Sequence, residues 1–173
     1  MEAQHLALEA KATLLDTKLR PLLDTLVQSF EEAIAVLNHN SAFGGVISHE
    51  VFEVKGPLTT AHSEFKPASM GRVPVMLITF PSGSKWSIYL PFRTTLESSE
   101  YEGSGEVQIR IDGDKISATI WIIDNQYAFR PDKPSKDWPI DIFKGGAVTN
   151  NVGGEEYLQR VIKVLFEQEM RLT

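Results

Sequence analysis

The sequence predicts a single α+β domain, in which an antiparallel sheet of about six or seven hairpin-connected strands is packed by a helix from each end of the chain. Two observations support this fold class. Apolar residues recur every three or four positions over 3–38 and again over 155–170, which is the period of a helix with one buried face. Between these stretches, β-branched and aromatic residues form short segments separated by Gly, Pro, Asn and Asp, as in hairpin-connected strands. The length of 173 residues suits one core, so residues 1–173 are treated as one domain.

A helical arm is predicted for residues 1–40. Pro21 lies inside it, and because the proline ring clashes with the preceding turn, we expect one continuous but kinked helix. A helix of about 36 residues would be about 54 Å long, whereas a compact chain of 173 residues is about 40 Å across. The first half of the arm is therefore a candidate for burial against a second copy. The apolar stripe comprises Leu8, Ala12, Leu15, Leu19, Leu22, Leu26, Phe30, Ala33 and Leu37.

The antiparallel sheet is predicted within residues 43–130, and its first strong hairpin signal is Pro81-Ser82-Gly83-Ser84. A two-residue loop at 82–83 would place Leu77 opposite Ile88.

A second hairpin is predicted around Gly113-Asp114. A loop of these two residues would place Ile109 opposite Ala118 on the core face, and Arg110 on the other face.

The remainder of the chain divides into two parts. Residues 131–154 contain three prolines and four glycines, and are expected to form an irregular loop. A C-terminal helix is predicted over 155–170, with Glu155 and Glu156 in the first turn, where the helix dipole favours negative charge.

Composition and charge argue against several classes of protein. The net charge is −6 and no segment is basic, so the sequence lacks the electrostatic footprint of a nucleic-acid binder. The chain contains no cysteine, which excludes disulfides, thiolate zinc sites and iron–sulfur clusters. No apolar run reaches the roughly 18 residues of a membrane span, and the N-terminus lacks the pattern of a secretory signal. The cytoplasm is the expected location, and no motif predicts a cofactor.

One cluster is a candidate metal site. If a turn at 55–57 joins two antiparallel strands, Glu50 falls near His62, and Glu64 shares the face of His62. An imidazole and two carboxylates can ligate a divalent ion, or act as a base with its orienting partner. The spacing matches no metal motif, and a His–Glu pair on the surface of two strands explains it equally well.

A candidate binding platform lies on the sheet face opposite the helices. An exposed aromatic beside an arginine suits stacking or cation–π recognition of a ligand or partner. In the alternative, the 131–154 loop folds over this face and buries it. The residues of this candidate site are Lys85, Tyr89, Arg110 and Trp121 on the sheet, with Trp138 from the loop.

Two hypotheses of function follow. The first is a non-enzymatic protein-interaction module, dimeric through its N-terminal helix, with a second copy or another protein as its partner. It rests on the long apolar helix, on the proline-rich loop with Trp138, and on the lack of a catalytic motif. The second is a small enzyme or small-ligand-binding protein, with a pocket between the sheet face and the 131–154 loop.

Overall fold

A computed structural model of the chain describes residues 2–54, 72–91, 106–123, 125–133, 138 and 152–172. The fold is α+β, as the sequence predicts. The elements in chain order are helix α1 (Glu2–His39), strands β1 (Ser48–Val51), β2 (Arg72–Thr79), β3 (Lys85–Pro91), β4 (Glu106–Gly113), β5 (Ser117–Ile123), β6 (Gln126–Pro131) and β7 (Val152–Gly153), and helix α2 (Glu155–Arg171).

The seven strands found among the described residues form one antiparallel sheet, in which each strand pairs with the next along the chain. Antiparallel neighbours can be joined by short turns, and the turn signals of the sequence predict the β2–β3, β4–β5 and β5–β6 pairs. Strand β7 was not predicted. It lies near the end of the segment predicted to be irregular, and it pairs Gly153 with Tyr127 of β6.

The turn between β2 and β3 is one residue longer than predicted. Its loop consists of Pro81–Gly83, and the N–H of Gly83 donates to the carbonyl of Phe80 over 2.9 Å. The N–H of Phe80 in turn donates to the carbonyl of Ser84 over 2.8 Å. Gly83 has a φ of +93°. These features define a type I turn with proline in its second position, closed by a left-handed glycine.

The predicted pairing of Leu77 with Ile88 is therefore wrong. Leu77 pairs with Ser87, and Met76 lies opposite Ile88. Because a register shift of one residue exchanges the two faces of a strand, Met76 is buried in the core, while Leu77 is only half-buried.

The predicted register of the β4–β5 hairpin is also wrong, but by two residues. Ile109 pairs with Ile120 instead of Ala118, and the N–H of Gly113 closes the turn by donating to the carbonyl of Ile116 over 2.7 Å. Side chains alternate with a period of two, so this shift leaves each residue on its predicted face.

Helices α1 and α2 pack together and cover one face of the sheet, which we call the inner face. Trp86 lies at the centre of this layer, with its ring centroid 6.5 Å from that of Phe30 in α1 and 4.8 Å from that of Phe166 in α2. Aromatic pairs of this kind contribute about 0.5–1.5 kcal/mol each beyond their buried area. The core residues of the helices include Leu19, Leu23, Leu26, Phe30 and Ile34 of α1, and Leu158, Val161, Ile162, Leu165 and Phe166 of α2.

Helix α1 is continuous through Pro21, as predicted, and contains 38 residues. Two contacts hold it to the sheet layer beside the proline. Nη1 of Arg20 donates to the carbonyl of Val54 over 2.9 Å, and the hydroxyl of Tyr127 donates to the carbonyl of Leu22 over 2.7 Å. At 1.5 Å per residue the helix is about 57 Å long.

Candidate functional site

A polar row crosses the outer face of the sheet, the face opposite the helices. Tyr89 pairs with Arg110, and Arg110 pairs with Thr119, across β3, β4 and β5. Lys85 and Trp121 share this face, because each is separated from a member of the row by an even number of residues along its strand. The structure thus brings Lys85, Tyr89, Arg110 and Trp121 to one face, in agreement with the sequence pattern.

Two carboxylates hold the guanidinium of Arg110. Its Nη1 donates to Oδ1 of Asp132 over 2.7 Å and to Oγ1 of Thr119 over 2.9 Å. Its Nη2 donates to Oδ2 of Asp132 over 2.7 Å and to Oδ1 of Asp112 over 2.9 Å. Oδ2 of Asp112 also accepts a hydrogen bond of 2.6 Å from the hydroxyl of Tyr89. All four Nη hydrogens of Arg110 are therefore used within the chain.

The same contacts shift the pKa values of both partners. The hydrogen bonds from Arg110 lower the pKa of Asp132, and the hydrogen bond to Asp132 raises the pKa of Arg110. Both groups stay charged at neutral pH. The network ties β3, β4, β5 and the residue after β6 together. Two carboxylates already hold the guanidinium that the platform hypothesis would offer to a ligand or partner.

Trp138 does not share the outer face with the other four predicted platform residues. Its ring centroid is 5.8 Å from that of Phe129 in β6, and its side chain is only 7% exposed. Phe129 shares the inner face with Tyr127, whose hydroxyl reaches α1. The structure therefore places Trp138 with the helix side of the sheet, and not over Arg110.

The predicted metal cluster is only partly within the described residues. Glu50 is exposed on β1, opposite Leu77, whereas His62 and Glu64 lie outside the described ranges. This site stays a prediction. Its neighbour His49 contacts α1 instead, with its Nε2 3.0 Å from Oε2 of Glu31. Among the residues whose placement is described, no group of three or more His, Asp or Glu is arranged to hold a metal ion.

A buried carboxylate that is not among the predicted site residues lies in α2. Glu169 is 0% exposed, and its Oε1 accepts hydrogen bonds from Nε1 of Trp86 over 2.7 Å and from Oγ of Ser84 over 3.3 Å. Nζ of Lys115, in the β4–β5 turn, is 3.8 Å from its Oε2. The sequence contained a signal for this burial, because position 169 follows Leu165 by four residues on the apolar stripe of the helix.

A groove of about 590 Å³ runs between α1 and α2 and is open to solvent. Val36 of α1 is 59% exposed and Met170 of α2 is 39% exposed, so apolar surface from both helices faces water at the groove. Exposed polar residues also line it, among them Glu32, Lys163 and Glu167. The apolar lining comprises Ala33, Val36 and Leu37 of α1 with Ile162, Phe166 and Met170 of α2.

Comparison with protein-family models, with curated proteins and with solved structures gives no match to this chain. None of the helices, as far as their residues are described, is long and apolar enough to cross a membrane.

Proposed function

We propose that this chain is a non-enzymatic protein-interaction module that dimerises through α1. In the proposed dimer, the N-terminal half of α1 of one copy lies in the groove between α1 and α2 of the other copy. The observation that carries the proposal is the groove itself, an apolar channel of about 590 Å³ between two well-packed helices.

The groove is suited to a helix. Both of its walls are helices, and its apolar lining is bordered by charged side chains. Amphipathic helices dock into such grooves through side chains spaced three and four residues apart. Apolar surface of this kind is seldom left open to water on a folded domain unless it binds something.

The first half of α1 has the sequence of such an occupant. Leu8, Ala12 and Leu15 follow one another at spacings of four and three, and the helical backbone already begins at Glu2. The helix is about 57 Å long, and its core residues Leu19–Ile34 account for about 22 Å of that length. A second copy would shield the apolar stripe of this first half.

A two-fold axis near Leu22 fills both grooves at once. Two antiparallel copies of α1 that cross there place position 12 of one copy opposite position 33 of the other, and position 8 opposite position 37. Ala33 and Leu37 line the groove. In such a symmetric interface each copy contributes the same arm and the same groove. Stable dimers bury about 800 Å² on each partner, which a long helix lying in a groove can supply.

Engineered cysteines test this arrangement directly, because the chain contains no cysteine of its own. Ala12→Cys combined with Ala33→Cys places both thiols on one helix, about 31 Å apart. A disulfide needs Cα atoms within about 7 Å, so these two thiols can pair only between copies. We expect the oxidised double variant to migrate as a covalent dimer on a non-reducing gel.

Three controls make the cross-link specific. Each single-cysteine variant should stay monomeric on the gel, because equivalent positions are also about 31 Å apart in the antiparallel dimer. Ala12→Cys with Val46→Cys should not cross-link, since Val46 is 75% exposed but lies outside the groove. Equal cross-linking of this control, or a monomer by light scattering at about 100 µM, well above the Kd of a micromolar dimer, would exclude the proposal.

A second pair of variants tests the groove without cysteines. Val36→Glu should weaken dimerisation at least about tenfold, since it buries a charge in an apolar interface. Val46→Glu should leave it unchanged.

We also propose that the protein works in the cytoplasm, since nothing in a cysteine-free sequence calls for an oxidising compartment.

A further inference from the structure

We infer that the chain also contains a binding site for a small organic anion with a flat apolar body. The site is a pocket of about 390 Å³ between the β4–β5 turn, the residues that follow β6 and the end of α2. We call it the turn pocket. No described residue lines both this pocket and the helix groove, so the inference does not depend on the proposed dimer.

The apolar part of the turn pocket is preorganised. Trp138 lines it, and the contact of this ring with Phe129 holds the indole in place. Ile116, which is 6% exposed, and Leu172 also line the pocket. A flat ligand can pack between the indole and these aliphatic groups. Ligand sites commonly combine such apolar walls with a few polar groups that set the orientation.

The two carboxylates of the turn pocket already accept hydrogen bonds from the chain. Both oxygens of Asp132 accept from Arg110 over 2.7 Å. Oδ2 of Asp114 accepts from the backbone N–H of Lys85 over 2.9 Å. The positive charges of Arg110, Arg130 and Lys133 lower the pKa of Asp132 and so offset its charge. The N–H of Lys85 orients Asp114 without cancelling its charge.

Two lysines supply donors to the same space. Lys115 lines the turn pocket, and its ammonium is 3.8 Å from the buried carboxylate of Glu169, which is not among the described lining residues. Lys133 is exposed and also lines the pocket. An ammonium has three N–H donors and no acceptor. Donors on the lysines, and the offset charge of Asp132, together favour a ligand that brings acceptors and negative charge.

The test uses benzoate as the probe, with benzylamine and benzamide as its cationic and neutral counterparts. Benzoate should shift the NMR signal of the Trp138 indole N–H, with a Kd on the order of 1 mM, as expected for a ligand of this size. Trp138→Phe assigns that signal. Phenyl phosphate distinguishes a carboxylate site from a phosphate site, and inorganic phosphate shows whether the aromatic body is required.

Variants of exposed lysines locate the site. Lys133→Gln should weaken benzoate binding by about threefold to tenfold. Lys163→Gln, a matched exposed lysine that lines the helix groove, should not change it. The inference is overturned if benzylamine or benzamide binds as tightly as benzoate. It is also overturned if Lys163→Gln weakens benzoate binding more than Lys133→Gln does. A chemical shift of the Trp138 indole N–H that stays unchanged at about 20 mM benzoate, well above the expected Kd, would overturn it as well.

Discussion

Replacement of Glu169 should show how strongly the domain depends on one buried carboxylate. In Glu169→Ala, the indole N–H of Trp86 and the hydroxyl of Ser84 lose their shared acceptor, which lies 2.7 Å and 3.3 Å away in the native protein. Each buried donor left without a partner costs about 1–3 kcal/mol, and the removed side chain leaves a cavity as well. We expect a loss of about 3–5 kcal/mol in the free energy of unfolding, typical of a broken buried polar cluster.

Glu169→Gln separates the acceptor from the charge. The amide oxygen can still accept the hydrogen bond from Trp86. The variant loses the attraction to Lys115, whose ammonium is 3.8 Å away, and it places a buried NH2 donor opposite that ammonium. The lost attraction costs about 1 kcal/mol and the buried donor about 1 kcal/mol or more, so we expect a loss of about 2–3 kcal/mol, smaller than that of Glu169→Ala.

Urea unfolding followed by circular dichroism measures both effects through the midpoint and slope of the transition. Glu167→Ala is the control, because Glu167 is exposed on the same helix and should change stability by less than about 0.5 kcal/mol. If Glu169→Gln destabilised the protein as much as Glu169→Ala, the carboxylate would not act as a hydrogen-bond acceptor for the indole. A loss below about 1 kcal/mol in Glu169→Ala would refute the buried cluster altogether.

Three further predictions concern the sheet and its turns. Because Arg110 lowers the pKa of Asp132, this carboxylate stabilises the fold above its unfolded pKa of about 3.9 and loses that effect as the pH falls through its folded value. The stability difference between Asp132→Asn and the native chain should therefore shrink as the pH falls below about 5 in urea titrations, and a constant difference would contradict the ion pair. Tyr127→Phe should cost about 1 kcal/mol by removing the hydrogen bond to Leu22. Burial raises the pKa of Tyr127 to about 12, so ionisation of this hydroxyl destabilises the fold as the pH rises above about 10. This loss of stability should be absent in Tyr127→Phe, as alkaline unfolding would show. Gly83→Ala should cost about 1 kcal/mol in thermal or urea unfolding through its φ of +93° alone, because an added Cβ meets nothing within 4 Å.

The two hairpins show what turn signals in a sequence can and cannot determine. At these hairpins the turns predict which strands pair, but the register depends on loop length. Pro81 favours a three-residue loop over a two-residue one and so changes the register. The resulting shift exchanged the faces of Leu77 and Met76. At the β4–β5 turn the shift was even, so the face of Arg110 was predicted correctly despite the wrong partner.

Side-chain roles were less predictable than faces. The pattern placed Arg110 on the outer face, and Asp112, two residues along the same strand, shares that face. Its second carboxylate partner, Asp132, comes from beyond β6, and nothing local in the sequence joins it to Arg110. Glu169 was missed for a related reason. A glutamate near the end of a helix ordinarily faces solvent, and only the packing of Trp86 supplies a donor that makes its burial favourable.

The pairing of α1 with α2 has a consequence for biosynthesis. Helix α1 precedes all the described strands in the sequence and α2 follows them, yet both helices cover the same face of the sheet. During translation at about 5–20 residues per second, roughly 7–26 s pass between synthesis of His39 and Arg171. During this time the strands can pair with their neighbours. Trp86 still lacks its contacts with Glu169 and Phe166, because these residues have not yet been synthesised. Until α2 is synthesised, part of the apolar inner face of the nascent sheet stays exposed. We expect chaperones to bind the chain at this stage.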